Sequence, residues 1–302
     1  FPGAGCGSRE GAMSYSFYVK SPGFRIPFRD ILAMLREDFP EYTLQESEEI
    51  SGPLEDTYEA IHGFLPTVST RNLEIAYTAG GDLQFRVMFC ASPQDYAISV
   101  WAAAECARRF KTTVSTEEND LPRPPDALQS DWSEEECLAQ GGRDFRLLRT
   151  MVAEDGKTMK IAGPQRPFFA GPKVLGAIDD ADLFFQVFRR QQWLDVVSDV
   201  HASKTIVATT NGDKEVAFAA FGAALPYLMS PLPYVAVVRA TDHSKEGGTF
   251  FLPFKELPQL IENVEFLDEE TIFVPAVPTN DWPEFVARAE RRAVTPLEDG
   301  PI

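Results

Sequence analysis

The chain has 302 residues, and its 46 Asp and Glu side chains against 28 Lys and Arg give a formal net charge of −18. Hydrophobic residues make up 44% of the chain and charged residues 25%, which is typical of a folded globular protein and excludes a disordered one. A field this negative repels polyanions, so we expect neither nucleic acid nor an anionic membrane surface as a partner. The sequence contains no apolar run of the roughly 20 residues that a membrane-spanning helix requires.

The cysteines and the first residues of the chain bear on the compartment. The four cysteines are Cys6, Cys90, Cys106 and Cys137. They are too sparse for a disulfide-linked scaffold and have no spacing typical of a metal site, so we expect reduced thiols and a cytoplasmic protein. Residues 1–12 are glycine-rich and lack a hydrophobic pattern, and we expect them to be a cloning remnant outside the fold that begins at Met13.

Residues 13–116 predict the element order βαββαβ, which is that of a ferredoxin-like domain. The first helix ends before Pro40, and the second begins at Pro93 with Ser92 as its N-cap. The predicted elements are, in chain order, a strand at Tyr15–Lys20, a helix from Pro27 to Phe39, strands at Asn72–Ala79 and Leu83–Phe89, a helix from Pro93 to about Phe110 and a strand at Thr112–Thr116. We therefore expect the first domain of a two-domain α+β protein in this stretch.

The two middle strands form a hairpin whose loop length determines which side chains face each other. A three-residue loop at residues 80–82 places Ile75 opposite Val87. The same loop places Tyr77 opposite Phe85, so that the apolar side chains collect on one face of the sheet. We prefer it to a two-residue loop, which puts polar side chains opposite apolar ones.

Residues 117–142 interrupt the hydrophobic pattern. The stretch contains three prolines, three consecutive glutamates at 134–136 and a pair of glycines at its end. This composition predicts an acidic, proline-rich linker between two domains. The alternative is an ordered flap that lies over the first domain, with Trp132 as its anchor.

Residues 143–302 predict a second α+β domain, a largely antiparallel sheet with packed helices. The expected strands are Phe145–Val152, Thr158–Ile161, Thr205–Thr210, Glu215–Phe221, Tyr234–Ala240, Thr249–Leu252, Val264–Leu267 and Thr271–Val274. Three helices are expected: one that begins near Asp180, and two short ones at Phe254–Glu262 and Trp282–Arg292. The Asn211-Gly212 pair is the clearest hairpin signal in the chain.

The histidine at position 201 raises the question of catalysis. Asp199, His201 and Ser203 stand at alternate positions and would share one face of a strand, as a proton-transfer site of a hydrolase-like enzyme would need. A catalytic triad is assembled by tertiary contact, however, and the local composition is typical of a polar loop. We therefore favour the loop and expect no catalytic residue.

A second cluster concerns metal binding. Glu55, Glu59 and His62 would lie near one face of a helical turn and could act as ligands. An ordinary solvated surface helix explains them better than a metal site does, and no phosphate-binding glycine motif occurs in the sequence. We therefore expect neither a metal site nor a cofactor.

The charge itself is the strongest indication of function. An excess of 18 negative charges is suited to capturing a basic protein. In being acidic, aromatic-rich and without catalytic motifs the chain resembles bacterial immunity proteins, which neutralise basic toxins, although the resemblance covers no motif and implies no residue roles. The alternatives are an enzyme that uses Asp199 and His201, and an adaptor or chaperone for a secreted effector. The residues that we expect to contact the partner are Asp131, Trp132, Glu134, Glu135 and Glu136.

Overall fold

The computed structural model describes residues 14–45, 60–209, 215–239 and 248–296. The chain is α+β, as the sequence predicts: the described residues form eight α-helices and sixteen strands. The chain divides into two compact units. The first runs to Phe168 and also takes in Leu175–Gln192, whereas the second consists of Phe169–Val174 and the chain from Trp193 onwards.

The first unit is built on a six-stranded antiparallel sheet with the neighbour order β2-β3-β4-β5-β1-β6. Its strands are β1 (Ser14–Val19), β2 (Thr43–Leu44), β3 (Ala60–Phe64), β4 (Leu73–Tyr77), β5 (Leu83–Met88) and β6 (Val114–Thr116). Strand β1 lies between β5 and β6, so the first described strand is paired on both sides. Its Phe17 faces Phe85 of β5, and both side chains are fully buried.

Helix α2 (Pro93–Arg109) packs against this sheet, and further helices lie along the rest of the chain. The α-helices are α1 (Phe28–Asp38), α2 (Pro93–Arg109), α3 (Pro125–Asp131), α4 (Glu134–Asp155), α5 (Pro172–Ala177), α6 (Ala181–Val197), α7 (Leu257–Leu260) and α8 (Trp282–Glu290). The predicted start of α2 is confirmed. The Ser92 hydroxyl accepts the amide N–H of Asp95 and the Asp95 carboxylate accepts that of Ser92, so two otherwise unpaired amides are satisfied.

The predicted hairpin register is wrong by two residues. Ile75 pairs with Phe85 and not with Val87, and Tyr77 pairs with Leu83 and not with Phe85. The loop keeps three residues but moves to 79–81. Because side chains alternate along a strand, a shift of two leaves the apolar residues on the predicted face.

The side chain and backbone of Asp82 account for the shift. Its carbonyl accepts the N–H of Thr78 at 2.9 Å, which makes Asp82 the first paired residue after the turn. Its carboxylate accepts from the ammonium of Lys20 at 2.9 Å and from the amide of Ser21 at 3.0 Å. Gly81 takes a φ of 85°, which a glycine adopts without strain.

The predicted strand at Phe145–Val152 is wrong, because helix α4 runs through it. Phe145, Leu148 and Val152 are buried at a spacing of three and four, which is the period of a helix face. Ser133 caps the helix N-terminus, and Gly156 ends it in the left-handed conformation with a φ of 63°.

The stretch predicted as a linker or flap, residues 117–142, forms α3 and the first turns of α4. Leu128 is fully buried, and the Trp132 ring lies 5.8 Å from that of Tyr96 and 4.6 Å from that of Tyr15. Contacts of this kind are those expected of the flap alternative. Preferred proteolysis within the stretch, which a linker implies, stays a prediction.

The second unit contains two four-stranded sheets, with the orders β10-β11-β13-β14 and β15-β16-β12-β9. The remaining strands of the chain are β7 (Met159–Ile161), β8 (Phe168–Ala170), β9 (His201–Ala202), β10 (Ile206–Thr209), β11 (Glu215–Phe221), β12 (Tyr227–Met229), β13 (Tyr234–Val238), β14 (Thr249–Pro253), β15 (Glu265–Phe266) and β16 (Ile272–Val274). The β10–β11 hairpin is antiparallel as predicted, with Thr209 opposite Glu215, and its Asn211-Gly212 turn lies outside the described residues.

In the second unit, a buried acid fixes the short segment Phe169–Val174. The Asp268 side chain is fully buried, and its carboxylate accepts the amides of Thr271 at 2.6 Å, Glu270 at 2.9 Å and Phe169 at 3.1 Å. Burial raises the pKa of Asp268, and the three amides oppose that change. The neighbouring Glu269 accepts the amide of Val174 at 3.1 Å, so the two acids hold both ends of the segment.

Close packing against Tyr42 requires a glycine on β3. A Cβ added at Gly63 would lie 2.6 Å from the Tyr42 ring, which is almost fully buried. We expect Gly63→Ala to lower the free energy of unfolding by about 1–3 kcal/mol, because the methyl group must displace that ring. Urea-induced unfolding measures the change.

The control is Gly142→Ala within α4. A Cβ there would meet only the flexible end of Arg146, at 3.4 Å, and alanine favours the helix by about 0.5–1 kcal/mol. We expect this variant to be slightly stabilised. Equal destabilisation of both variants would contradict the importance of the Tyr42 contact.

Candidate protein-binding surface

Acidic side chains are concentrated in residues 117–142. This stretch holds eight acids and one base, a net charge of −7 out of the −18 of the whole chain. The acids are Glu117, Glu118, Asp120, Asp126, Asp131, Glu134, Glu135 and Glu136. Because the last three occupy the first turn of α4, they also interact favourably with the positive end of the helix dipole. The helix therefore fixes the backbone positions from which these three side chains project.

Ion pairs divide the predicted contact residues into two groups. Asp131 pairs with Arg123, and Glu136 pairs with Arg143. Glu134 and Glu135 are exposed and have no ion-pair partner in the part of the chain that the structure describes. These two glutamates therefore present the uncompensated charge.

Trp132 does not project from the surface. Its side chain is only 9% exposed, and its ring meets that of Phe17 edge-on at 4.9 Å and stacks on that of Tyr96. The indole holds the junction of α3 and α4 against the sheet. The expected aromatic anchor for a partner is thus a core residue of this unit, with only its edge near the surface.

A groove lies beside the acidic turn, between α2 on one side and the α3–α4 junction on the other. We refer to it as the α2–α4 groove; its volume is about 420 Å³. Ala97 and Trp101 of α2 line one wall, Leu138 of α4 lines the other, and Trp132 contributes to the floor. Leu138 is 52% exposed. Glu134 also lines the groove, so the apolar walls adjoin uncompensated charge.

A buried carboxylate positions α4 against α2. Asp144 accepts the amide of Cys90, the hydroxyl of Tyr96 and the side-chain amide of Gln140, each at 2.9 Å. Burial raises the pKa of Asp144, and these hydrogen bonds act against the increase. Cys90 has a φ of 62°, an uncommon conformation for a residue other than glycine.

A second buried acid lies at the start of α2. Asp95 accepts the amides of Thr70 and Arg71 as well as that of Ser92. The Arg71 guanidinium is buried nearby and donates to the carbonyl of Phe89 at 2.7 Å. Burial lowers the pKa of Arg71, while the surrounding acids oppose that change. Thr70, Arg71, Ser92 and Asp95 are all buried, so this network has a structural role and is not exposed to a partner.

The residues considered for proton transfer are not assembled into a site. Asp199 and His201 are both exposed, and no hydrogen bond joins them in the described structure. The His201 ring meets Tyr227 edge-on at 5.4 Å. The Ser203 hydroxyl has no hydrogen-bond partner among the described residues. The three side chains therefore lack the contacts that a proton relay requires.

The expected helix around His62 is wrong, because His62 lies on strand β3. Its Nε2 is 3.3 Å from the Glu74 carboxylate on the adjacent strand, and this hydrogen bond lowers the pKa of Glu74. Glu55 and Glu59 lie outside the described residues. Across residues 14–45, 60–209, 215–239 and 248–296, no group of three His, Cys, Asp or Glu side chains converges as metal ligands would.

The three described thiols, Cys90, Cys106 and Cys137, are buried. Burial raises the pKa of Cys106 to about 12 and that of Cys137 to about 11, and it raises the pKa of Cys90 as well. These three thiols are therefore held in the protonated, weakly nucleophilic form at neutral pH. Cys6 lies outside the described residues.

Asp144 makes the stability of the first unit depend on pH. Its pKa in the folded protein lies above the unfolded value of about 3.9, so its contribution is fully present below about pH 4 and is lost as the pH rises through the folded pKa. We expect Asp144→Asn, which cannot ionise, to flatten the dependence of unfolding free energy on pH in this range. Urea-induced unfolding at a series of pH values measures it.

A comparison with Asp144→Ala separates charge from hydrogen bonding. Asparagine still accepts from Cys90 and Tyr96, whereas alanine leaves both donors unsatisfied and should cost about 2–4 kcal/mol at every pH. A pH dependence of Asp144→Asn that is parallel to that of the wild type would assign the effect to other groups.

Neither a membrane-spanning helix among the described residues nor a similar known protein was found for this chain. No helix within the described ranges is both long enough and apolar enough to cross a bilayer. Comparison of the chain with models of protein families, with curated proteins and with solved structures gave no match.

Proposed function

We propose that this chain is a non-catalytic acidic protein of the bacterial cytoplasm that binds and neutralises a basic protein, in the manner of an immunity protein toward a toxin domain. The observation that carries the proposal is the acidic surface of residues 117–142, with its net charge of −7. Toxins that act on nucleic acids present basic clefts, and a fixed acidic surface is complementary to such a cleft.

The way in which the structure holds these charges supports binding over simple solubility. Glu134 and Glu135 lie on the first turn of a helix whose position is set by the buried Trp132 and Asp144. Little order has to be imposed on such a surface when a partner docks, which reduces the entropic cost of association. The neighbouring apolar groove adds area from which a partner can exclude water.

We further propose that the first unit is a ferredoxin-like domain extended at one edge. Strands β4, β5, β1 and β6 follow the chain order with α1 and α2 that the βαββαβ pattern requires, and their neighbour order is β6-β1-β5-β4. Strands β2 and β3 lie beyond β4 as additions to that pattern. The proposed binding surface then belongs to the segment that follows the last strand of this domain.

Affinity capture from the source organism, followed by identification of the bound protein, tests the proposal. With the captured partner, we expect Glu134→Lys combined with Glu135→Lys to slow association about tenfold at low salt and to weaken its dependence on ionic strength. Stopped-flow association at several salt concentrations measures both effects. Dissociation should change less, because steering acts on the encounter.

The matched control reverses two exposed acids at the other end of the same helix, in Glu154→Lys combined with Asp155→Lys. These acids lie about 30 Å from Glu134 along α4, well beyond the screening length of about 8 Å at physiological salt. The net charge changes equally, so we expect near-wild-type association. If both double variants slowed association equally, the effect would come from the total charge of the protein and not from the position of Glu134 and Glu135. Failure to capture a basic protein, together with turnover of a small molecule, would favour an enzyme.

A further inference from the structure

The α2–α4 groove has the form of a binding groove for a helix. On α2, Ala97 and Trp101 are four residues apart, and on α4, Glu134 and Leu138 have the same spacing. Each pair therefore lies on one side of its helix, and the two sides face the same space. Helices α2 and α4 also approach closely at Gly141, where a Cβ would lie 3.2 Å from the Pro93 ring. Two neighbouring helices with an open seam between them form the kind of groove that accepts a third.

The groove is electrically asymmetric. Glu134 lies seven residues before Gly141, about 10 Å along α4 from the contact with Pro93. Two lining residues accept hydrogen bonds from arginines: near that contact Gln94 accepts from Arg189 at 3.0 Å, and Gln129 accepts from Arg108. Arg108 is also paired with Glu105 and Asp126, whose negative charges offset its own. A positively charged side chain of an occupant is therefore favoured at the Glu134 end and disfavoured at the Gln94 end.

Resting on the proposed function, we infer that the α2–α4 groove binds a basic amphipathic helix of the partner protein. Apolar side chains of that helix, spaced three or four residues apart, contact Ala97, Trp101 and Leu138. Lysine or arginine side chains on its flank meet Glu134 and Glu135. The lining of α2 from Pro93 to Trp101 is about 12 Å long, which corresponds to two turns of the occupant.

Charge and shape act at different stages of this binding. The glutamates attract any basic chain, with or without helical form, and so act on the encounter. The groove distinguishes a helix with a continuous apolar face from a chain of the same composition, and so acts on the lifetime of the complex. A substitution that fills the groove without changing charge therefore tests the inference separately from the proposed function.

The probes are three fluorescein-labelled peptides of about 18 residues, or five helical turns. The first has leucines on one helical face and lysines elsewhere, the second has the same composition with the leucines scattered, and the third contains lysine only. By fluorescence anisotropy we expect the wild type to bind the first about tenfold more tightly than the others. Ala97→Trp should abolish this preference and leave binding of the lysine peptide unchanged.

The control is Ala139→Trp, an exposed position of α4 that does not line the groove, and it should bind all three peptides as the wild type does. Leu138→Ser, which removes an apolar wall of the groove, should also lose the preference, and it replaces Ala97→Trp if that variant does not fold by circular dichroism. Equal binding of the facial and scattered peptides, or retention of the preference in a folded groove variant, would overturn the inference. Neither result bears on the capture of a basic protein, whose failure would instead contradict the proposed function.

Discussion

The carboxylate of Asp144 joins helix α4 to two residues that lie 54 and 48 positions earlier in the sequence. It accepts hydrogen bonds from Cys90 after strand β5, from Tyr96 on α2 and from Gln140 on its own helix. Tyr96 in turn stacks on Trp132, so the same contacts determine where the α3–α4 junction lies. The acidic first turn of α4 and the wall of the α2–α4 groove therefore depend on a group that is itself buried. A carboxylate in such a place is costly unless it is hydrogen-bonded, and each of the three donors offsets part of that cost.

Local signals in the sequence were sufficient for part of the fold. The start of α2 follows from the Ser92–Asp95 capping box, and the face of the β4–β5 hairpin follows from alternation. The register did not follow, because it depends on the contact of Asp82 with Lys20, 62 residues earlier in the chain. Helix α4 was mistaken for a strand at Phe145–Val152 because its buried face is rich in large apolar residues, although their spacing is helical.

The candidate surface was predictable in its charge but not in its detail. Runs of acidic residues look alike in a sequence, yet their environments differ widely. Glu134 is exposed and has no ion pair within the described ranges, whereas Glu136 is paired with Arg143. Asp268 is fully buried, and its carboxylate accepts three backbone amides. An aromatic residue beside such a run is equally ambiguous, and Trp132 proved to belong to the core. The groove was missed altogether, since it is formed by two helices whose proximity is set by tertiary contacts. The four-residue spacing of Ala97 and Trp101 was the one signal available for it.

The path of the chain between the two units has a consequence for folding during synthesis. After Phe168 the chain contributes six residues to the second unit, returns to the first through Gln192, and only then continues into the second. The returning segment supplies Phe184 and Phe188, whose rings pack against that of Phe168. A nascent chain that has left the ribosome only as far as Phe168 therefore lacks part of the first core. The first unit can be completed only after the chain has been translated through Gln192, and no single break in the chain separates the two units into intact pieces.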